Sequence, residues 1–408
     1  MTKRELKEYA KLIVEIGANV QKGQDVIVNA RVNEAYFAEL IVEAAYKRKA
    51  RSVRVEWSDD AIDKMTYKYA SLKTLTTIPN WRLEKLQHEV DTLPARIYIV
   101  SENPDALKGV DSDKFTKIRI KNGPIFMKYR EQMENKYQWV IAGIPGVEWA
   151  KKVFPNDSKN VAIKKLWDAI LKTTRVYGDP IKNWEDHNKI LKEKCEWLNN
   201  LGIKTLYYKS SNGTDFKIDL KKESIFEGGA AKTLSGVVYQ PNMPTEECFT
   251  SPDKYSANGV VYATKPLSVD GRLVDNFGFK FKDGEVIEVI AKDLDSKKVL
   301  ENLISADEGA KRLGEVALVP FESPINQTGI LFYETLYDEN ACCHLALGRA
   351  FDECIRDFEN KTEEEMNAID LNKSVIHVDF MIGSRDLDIK AELFDGSFVQ
   401  IFKDGTWA

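Results

Sequence analysis

The chain changes character near Gly178-Asp179-Pro180. Before this point, apolar runs of strand length alternate with amphipathic helical segments, which is typical of α/β units. After it, short apolar segments are separated by Gly, Asn and Asp, which is typical of antiparallel strands and turns. The sequence therefore predicts an α+β protein of 408 residues with two domains. An N-terminal α/β open-sheet domain (1–190) precedes a mainly antiparallel β domain with helices (191–408), and the boundary falls between 180 and 200.

The N-terminal domain is predicted to contain an open parallel sheet. Its strand-length apolar runs are 25–30, 52–57, 95–100 and 137–142, and a helical segment at 34–49 separates the first two. A strand, a crossover helix and a second strand imply a parallel pair. A helix from Leu6 to Ile16, ended by Gly17, precedes this unit.

The C-terminal domain is predicted to be mainly antiparallel. A long amphipathic helix at 184–201 leads into it, and Asp283-Gly284 between two alternating runs predicts a hairpin. Helices are expected near 295–313 and 340–358, among short β segments.

Composition and missing motifs exclude several kinds of function. The 59 basic and 64 acidic residues give a net charge of −5, which offers no electrostatic basis for binding nucleic acid or an anionic membrane. No GxGxxG follows an early strand and no GxSxG is present. The sequence therefore predicts neither a dinucleotide site nor a serine hydrolase.

Cysteine usage and hydropathy bear on location. Five scattered cysteines, an odd number, fit a reducing compartment better than a disulfide framework. Residues 1–17 carry charges throughout, unlike a signal peptide, and no stretch of about 18 apolar residues occurs. We therefore expect a cytoplasmic protein without a membrane span.

Two of the four histidines lie in segments rich in acids and glycine. Strand periodicity places His377 and Asp379 on the same face of a buried strand. A divalent cation that accepts both side chains is one way to satisfy these buried polar groups. A hydrogen bond between them within a β core is the alternative.

The other histidine of this kind, His344, follows Glu339 by five residues. That spacing does not put both on one face of a regular helix, so both reach one ion only if Glu339 precedes the helix. The alternative is a capping acid and an unrelated helical histidine, with Asp338 or Asn340 as the helix N-cap. Cys342 and Cys343 are interpreted as small buried packing residues rather than ligands.

Further carboxylates complete a possible metal site. Glu315 begins an apolar strand, and Glu246 and Glu247 are neighbours in an extended segment, so one of these two is expected to enter a site. A solvated acidic turn is the alternative for the pair. Together with the acids and histidines above, this set exceeds the ligands of one tetrahedral zinc and suits two divalent ions about 3.5–4 Å apart. Such a centre fits the hydrolysis of an amide.

Four segments that carry these residues follow one another in a fixed order. They are NMPTEECFTSPD (242–253), GEVALVP (314–320), TLYDENACCHLALGRAF (335–351) and HVDFMIGS (377–384). They closely resemble the signature segments of the M29 family of metallo-aminopeptidases. The likeness extends to IGANVQKGQ (16–24) and WEDHN (184–188), so it covers essentially the whole chain.

The resemblance implies a dinuclear exopeptidase that releases N-terminal residues from peptides with a free N-terminus. It also implies two divalent metal ions (Zn, Co, Mg or Mn) and a homodimer. The family's metal ligands fall on Glu247, Glu315, Glu339, His344, His377 and Asp379. Glu315 is expected to bridge the two ions.

Three further residues are candidates for catalysis. Some family members have a tyrosine where this chain has Phe351, which can neither donate a hydrogen bond nor stabilise an oxyanion. Glu246 is the candidate general base, although it is expected to face away from the neighbouring ligand. Arg385 either meets a substrate carboxylate or oxyanion or pairs with Asp386 or Asp388.

Two other functions are compatible with the sequence. A related metallohydrolase would act on a non-peptide amide or ester. A metal-binding dimer that has lost catalysis would account for Phe351, but the presence of all six ligands argues against it.

Overall fold

The computed structural model describes residues 1–101, 103–269 and 272–408. The chain groups into two compact units. The first contains Met1–Asn188 and Gly229–Thr245, and the second contains Lys189–Gly228, Glu246–Val269 and Leu273–Ala408. A short segment from the second half of the chain therefore belongs to the first unit. The division into domains 1–190 and 191–408 stays a prediction.

The α-helices are concentrated in the first half of the chain. They are α1 (Lys3–Leu12), α2 (Ala35–Lys47), α3 (Asp60–Tyr69), α4 (Leu72–Leu75), α5 (Asn80–Thr92), α6 (Ser112–Met133), α7 (Val147–Val153), α8 (Lys159–Thr173), α9 (Pro180–Leu201), α10 (Leu294–Ile304), α11 (Thr335–Glu339) and α12 (Glu363–Ile369). A π-helical turn at Ile13–Gly17 extends α1. Among the residues described, no helix is long and apolar enough to cross a membrane.

The strands are short and more numerous toward the C-terminus. They are β1 (Asp25–Arg31), β2 (Ser52–Ser58), β3 (Ala95–Val100), β4 (Trp139–Gly143), β5 (Ile203–Lys209), β6 (Asp215–Asp219), β7 (Ala231–Lys232), β8 (Val238–Tyr239), β9 (Asn242–Met243), β10 (Cys248–Thr250), β11 (Asn258–Tyr262), β12 (Leu267–Val269), β13 (Arg272–Val274), β14 (Phe277–Lys282), β15 (Glu285–Ala291), β16 (Leu313–Leu318), β17 (His344–Gly348), β18 (His377–Met381), β19 (Asp388–Leu393), β20 (Phe398–Lys403) and β21 (Thr406–Trp407).

The first unit is organised around five parallel strands in the order β2-β1-β3-β4-β9. The first four strands are the apolar runs found in the sequence, so the prediction of an open parallel sheet is confirmed. The helical segment ends at Gly17, as predicted. A Cβ at Gly17 would lie 2.9 Å from Cγ2 of Val140, so a glycine lets this turn pack closely against β4.

The second unit contains two larger antiparallel sheets that share an apolar core. One has the order β10-β16-β17-β18, and the other has the order β15-β14-β11-β6-β5-β19-β20-β21. Phe279 of the larger sheet and Phe380 of the smaller sheet meet with ring centroids 5.1 Å apart, inside this core. The predicted Asp283-Gly284 turn joins β14 to β15. The prediction of an α+β fold with a mainly antiparallel second part is confirmed.

Two predicted helices give way to strands. The helix expected over 295–313 ends earlier, with α10, and β16 follows it. The helix expected over 340–358 is wrong, because α11 ends at Glu339 and β17 begins at His344. All five residues of β17 are buried. A strand that is buried on both faces lacks the alternation that would distinguish it from a buried helix.

Tyr208 in β5 allows a test of this core. Its side chain is 1% exposed, and its hydroxyl has no hydrogen-bond partner in the described part of the chain. Because Tyr208→Phe removes a buried unsatisfied group, we expect the free energy of unfolding to stay equal or rise by about 1 kcal/mol. Denaturant titration measures this change.

The preceding residue supplies a matched control. The Tyr207 hydroxyl donates a hydrogen bond to Oε2 of Glu392 at 2.8 Å. Tyr207→Phe is therefore expected to lower the free energy of unfolding by about 0.5–1 kcal/mol. A clear loss of stability in Tyr208→Phe would contradict the assignment of an unpaired hydroxyl.

Candidate metal centre

Three adjacent strands place predicted ligands on one face of the smaller sheet. In the antiparallel register, Glu315 of β16 lies opposite Ala346 of β17, and Ala346 lies opposite Asp379 of β18. His344 lies two residues before Ala346 in β17, and His377 lies two residues before Asp379 in β18. Both histidines therefore share this face. The register therefore brings two acids and two imidazoles together. His344 is a strand residue, and its assignment to a helix is wrong.

Small residues separate these bulky side chains. Ala317 lies opposite His344, and Gly348 lies opposite His377. Gly348 has a positive φ of 102°, and a Cβ there would lie 2.2 Å from the carbonyl oxygen of Ile376. Gly348 is therefore required by its own backbone geometry, and Ala317 places only a methyl group opposite His344.

The candidate ligand atoms form two groups that share one residue. The first group is Glu247, Glu315 and His344, and the second is Glu315, His377 and Asp379. In each group the candidate ligand atoms lie within 4.8 Å of one another. Nε2 of His344 lies 3.1 Å from Oε2 of Glu247, and Nε2 of His377 lies 3.0 Å from Oε2 of Glu315. Nε2 of His377 also lies 3.3 Å from Oδ1 of Asp379.

The carboxylates strongly influence one another's protonation. Burial, together with the charges of Asp379 and Glu247, raises the pKa of Glu315 to about 7. The hydrogen bond from His377 acts in the opposite direction and lowers this pKa. Burial also raises the pKa of Glu339 well above its ordinary value, together with the charges of Asp379, Glu247 and Glu315. Glu339 therefore belongs electrostatically to the same cluster, although it is in neither group of close ligand atoms.

The pKa values of the two histidines are raised as well, which favours their charged forms. Burial lowers the pKa of His344, but its hydrogen bond to Glu247 and the nearby charges outweigh burial and raise the pKa to about 9. Burial also lowers the pKa of His377, but Asp379 and Glu315 outweigh burial and raise this pKa well above its ordinary value. Burial raises the pKa of Asp379, but the two imidazoles outweigh it and lower that pKa.

Both imidazole rings are oriented by backbone carbonyls. Nδ1 of His377 lies 2.8 Å from the carbonyl oxygen of Arg349, and Nδ1 of His344 lies 3.3 Å from that of Cys342. An N–H at each Nδ1 can donate to these oxygens, which leaves Nε2 as the atom facing the carboxylates. This is the usual way in which a protein fixes a metal-binding histidine.

The donor set fits divalent cations. It combines buried carboxylate oxygens with two imidazole nitrogens, which are ligands for zinc and related ions. No Lys or Arg among the described residues forms an ion pair with Glu315, Glu339 or Asp379. These buried acids therefore lack a fixed positive partner other than the histidines, and a bound cation would supply one. Cys342 and Cys343 are buried and lie outside both ligand groups.

The candidate catalytic residues have different surroundings. Glu246 is 8% exposed, and its backbone N–H donates to Oδ1 of Asn340 at 2.8 Å. The guanidinium of Arg385 lies over the ring of Phe321, 5.6 Å from its centroid. Asp386 instead accepts hydrogen bonds from the backbone of Ser211 and from serine hydroxyls, and Asp388 pairs with Lys403. Both alternative partners proposed for Arg385 are thus bound to other groups.

Phe351 lies beside the cluster. Its ring centroid is 4.8 Å from that of His377 and 5.6 Å from that of Phe249. The side chain at the position of the family tyrosine therefore contacts one of the candidate ligands.

The sequence matches the family described as thermophilic metalloprotease (M29) over residues 2–407. The chain belongs to the M29 family. Aminopeptidase AmpS of Bacillus subtilis (strain 168) is 41% identical to it over 407 residues, covering 99% of this chain and 98% of that protein. Aminopeptidase 2 of Geobacillus stearothermophilus is 39% identical, and Aminopeptidase T of Thermus thermophilus is 35% identical, each with the same coverage.

The solved structure of a relative agrees with this assignment. Wild-type AmpT from Thermus thermophilus superposes with a TM-score of 0.88 at 35% identity, covering 100% of this chain and 99% of that chain. A 2,5-dihydroxypyridine dioxygenase from Pseudomonas putida KT2440 shares the fold alone, with a TM-score of 0.51 at 11% identity. The predictions of M29 membership and of a hydrolase are confirmed, and a metalloprotease family implies a divalent metal.

The sequence predicts only helix capping for Asn340, but the structure places its amide between two acidic segments. His187, which lies in α9, is a second residue whose contacts the sequence does not predict. Its Nε2 lies 2.7 Å from the carbonyl oxygen of Thr245, and its Nδ1 lies 3.1 Å from the Arg175 guanidinium. Since Arg175 can only donate, Nδ1 accepts and Nε2–H donates to Thr245. No local sequence pattern indicates either arrangement, because both depend on residues distant in the chain.

His187 is expected to make the M29 chain less stable in acid. Burial and the charge of Arg175 lower the pKa of His187 from 6.5 to about 4. Between these values the unfolded chain binds a proton that the folded chain does not. The stabilisation that depends on neutral His187 is therefore fully present above about pH 6.5. It is lost as the pH falls toward 4, which lowers the free energy of unfolding by up to about 3 kcal/mol.

His187→Gln keeps a donor for Thr245 but does not titrate. Denaturant unfolding from pH 7 to 4 should therefore show a smaller loss of stability in this variant than in the wild-type protein. His88→Gln, at an exposed position in α5, controls for the loss of an imidazole. Parallel curves for the wild type and His187→Gln would contradict the expectation.

Divalent metal is expected to stabilise the chelator-treated protein. An ion that binds only the folded state at 100 times its Kd adds about 2.7 kcal/mol to the free energy of unfolding. Thermal unfolding with added Zn, Co, Mn or Mg measures this effect. His377→Ala should lose most of the rise in Tm, and His88→Ala should keep it. The absence of a rise with all four ions would contradict the metal centre.

Proposed function

We propose that this chain is a metal-dependent aminopeptidase that releases N-terminal residues from peptides with a free N-terminus. The observation that carries this proposal is the pair of candidate ligand groups joined through Glu315, in a chain of a metalloprotease family. Relatives that match over nearly their whole length are named aminopeptidases, which supports the same activity here.

We assign six residues to two divalent ions. They are Glu247, Glu315, Glu339, His344, His377 and Asp379. Six ligands exceed what one tetrahedral ion accepts, and Glu315 lies in both close groups, so it is the natural bridge. Divalent metal held by these residues would supply a bound water of lowered pKa and polarisation of the substrate carbonyl. The mixed oxygen and nitrogen donors are compatible with Zn, Co, Mn or Mg.

The protein's own groups hold and orient the reacting partners. The carbonyls of Arg349 and Cys342 fix the two imidazoles, so that each Nε2 faces the acids. Glu246 is our candidate for the carboxylate that accepts the proton from the attacking water, since it is buried and adjacent to Glu247. Arg385 has no carboxylate in ion-pair contact within the described part of the chain, which leaves its guanidinium available to a substrate carboxylate.

Phe351 favours one second candidate, a metal-binding protein with impaired catalysis. Its ring contacts His377 but has no hydroxyl that could donate a hydrogen bond to the reacting groups. If that hydroxyl were essential, Phe351→Tyr would raise turnover strongly. We favour the active enzyme, because the acids and imidazoles of both groups lie in close contact.

We further infer a homodimer in a reducing cytoplasm. The homodimer rests on the resemblance to the family. The location is supported by five free cysteines, all of them buried.

The activity is tested on amino-acid anilides and short peptides after chelation and after adding back each metal. We expect metal to restore turnover on substrates with a free amine and not on the same substrates N-acetylated. Glu315→Ala and His377→Ala should each lower kcat/KM by more than about 100-fold, since even outer-shell changes at metal sites cost 10–100-fold. His88→Ala is the matched control and should retain activity.

Three outcomes would count against the proposed activity or against the assigned metal centre. Equal turnover of the acetylated substrates would indicate an amidase that does not require a free amine. Bound metal without turnover, restored by Phe351→Tyr, would indicate the impaired protein. Full activity in Glu315→Ala would contradict the assigned metal centre.

A further inference from the structure

Asn340 links two acidic segments of the candidate metal centre. Its side chain is 0% exposed and lies directly after α11. Oδ1 accepts a hydrogen bond from the backbone N–H of Glu246 at 2.8 Å. Nδ2 donates to Oε1 of Glu339 at 3.3 Å and to the carbonyl oxygen of Leu336 at 2.9 Å. Both donors and the acceptor of this amide are therefore in use.

The bond to Glu339 matters because of where that carboxylate lies. Among the described residues, the Asn340 amide is the one group that donates a hydrogen bond to the Glu339 side chain. A neutral amide orients the carboxylate but adds no positive charge. An Arg or Lys in its place would neutralise Glu339 and compete electrostatically with a bound cation.

The bond to Glu246 acts on a different part of the chain. Glu246 and Asn340 are 94 positions apart in sequence, so this contact ties two distant segments together. Glu247 follows immediately, and its carboxylate contacts His344. The backbone of Asn340 is held in turn, since the Ser323 hydroxyl donates to its carbonyl oxygen at 2.7 Å. One buried amide thus sets the separation between Glu339 and the backbone that carries Glu247.

We propose that Asn340 is a positioning residue that sets the metal affinity of the centre by holding Glu339 and the Glu246–Glu247 backbone in register. The proposal rests on the proposed function, because it requires Glu247 and Glu339 to be metal ligands. Partners that orient metal ligands typically change affinity by 10–100-fold when they are removed. Asn340 acts through Glu339 and Glu247 and touches no substrate in this scheme.

The test measures cobalt binding rather than activity. Full-length protein is stripped with a chelator and titrated with Co²⁺ against a competing indicator, and the visible absorption of the bound ion reports its coordination. Asn340→Ala is expected to bind Co²⁺ about 10–100-fold more weakly than the wild type, with an altered spectrum.

Asn199→Ala separates positioning from simple loss of stability. The Asn199 amide also bonds two backbone groups, both of them in Phe226. Oδ1 of Asn199 accepts from the N–H of Phe226 at 2.6 Å, and Nδ2 donates to the carbonyl oxygen of Phe226 at 3.0 Å. This variant should lose stability in denaturant titration but keep the wild-type Co²⁺ affinity and spectrum. Equal weakening of Co²⁺ binding in Asn199→Ala and Asn340→Ala would overturn the proposal.

The remaining outcomes are also decisive. Wild-type affinity and spectrum in Asn340→Ala would overturn the positioning role and leave the proposed function intact. A wild-type protein that binds neither cobalt nor Zn, Mn or Mg would overturn both. If Asn340→Ala does not fold, Asn340→Ser takes its place with the same expectation, because serine is too short to reach Glu246 and Glu339 together.

Discussion

Four carboxylates and two imidazoles converge in a buried part of the second unit, and mutual repulsion of the acids is the constraint on which the surrounding structure depends. Burial raises the pKa of Glu315 to about 7, and the charges of Asp379 and Glu247 act in the same direction, because each disfavours the charged form of Glu315. The surroundings keep these acids together. Two backbone carbonyls orient the histidines, and the Asn340 amide holds Glu339. Such an assembly is most favourable when a divalent cation supplies the missing positive charge.

The sheet provides the geometry because three neighbouring strands each contribute to a single face. Period-two alternation supplies the candidate ligands, and the residues between them are small, as at Ala346 between Glu315 and Asp379. A larger side chain at Ala346 would separate the two carboxylates. Packing and chemistry are therefore specified by the same residues, which explains why so much of this sheet is buried although it carries charged groups.

The sequence was informative where a local pattern was sufficient. Continuous apolar runs predicted strands β1 to β4, and alternation placed His377 and Asp379 on one face. It failed where structure depends on distant partners. The run containing His344 is buried on both faces, so periodicity could not separate strand from helix. The role of Asn340 depends on Glu246, and no short-range pattern reports a hydrogen bond between residues 94 positions apart.

The two-residue strand β9 has a consequence for how this protein can be divided. It pairs with β4 at the edge of the parallel sheet, where the Ile141 N–H also donates to the carbonyl oxygen of Pro241 at 2.8 Å. A gene fragment ending near residue 190 would encode the rest of this sheet without β9. The unpaired edge of β4 would then be open to intermolecular pairing. An expression fragment of the first unit would need residues 229–245 grafted back to cover that edge.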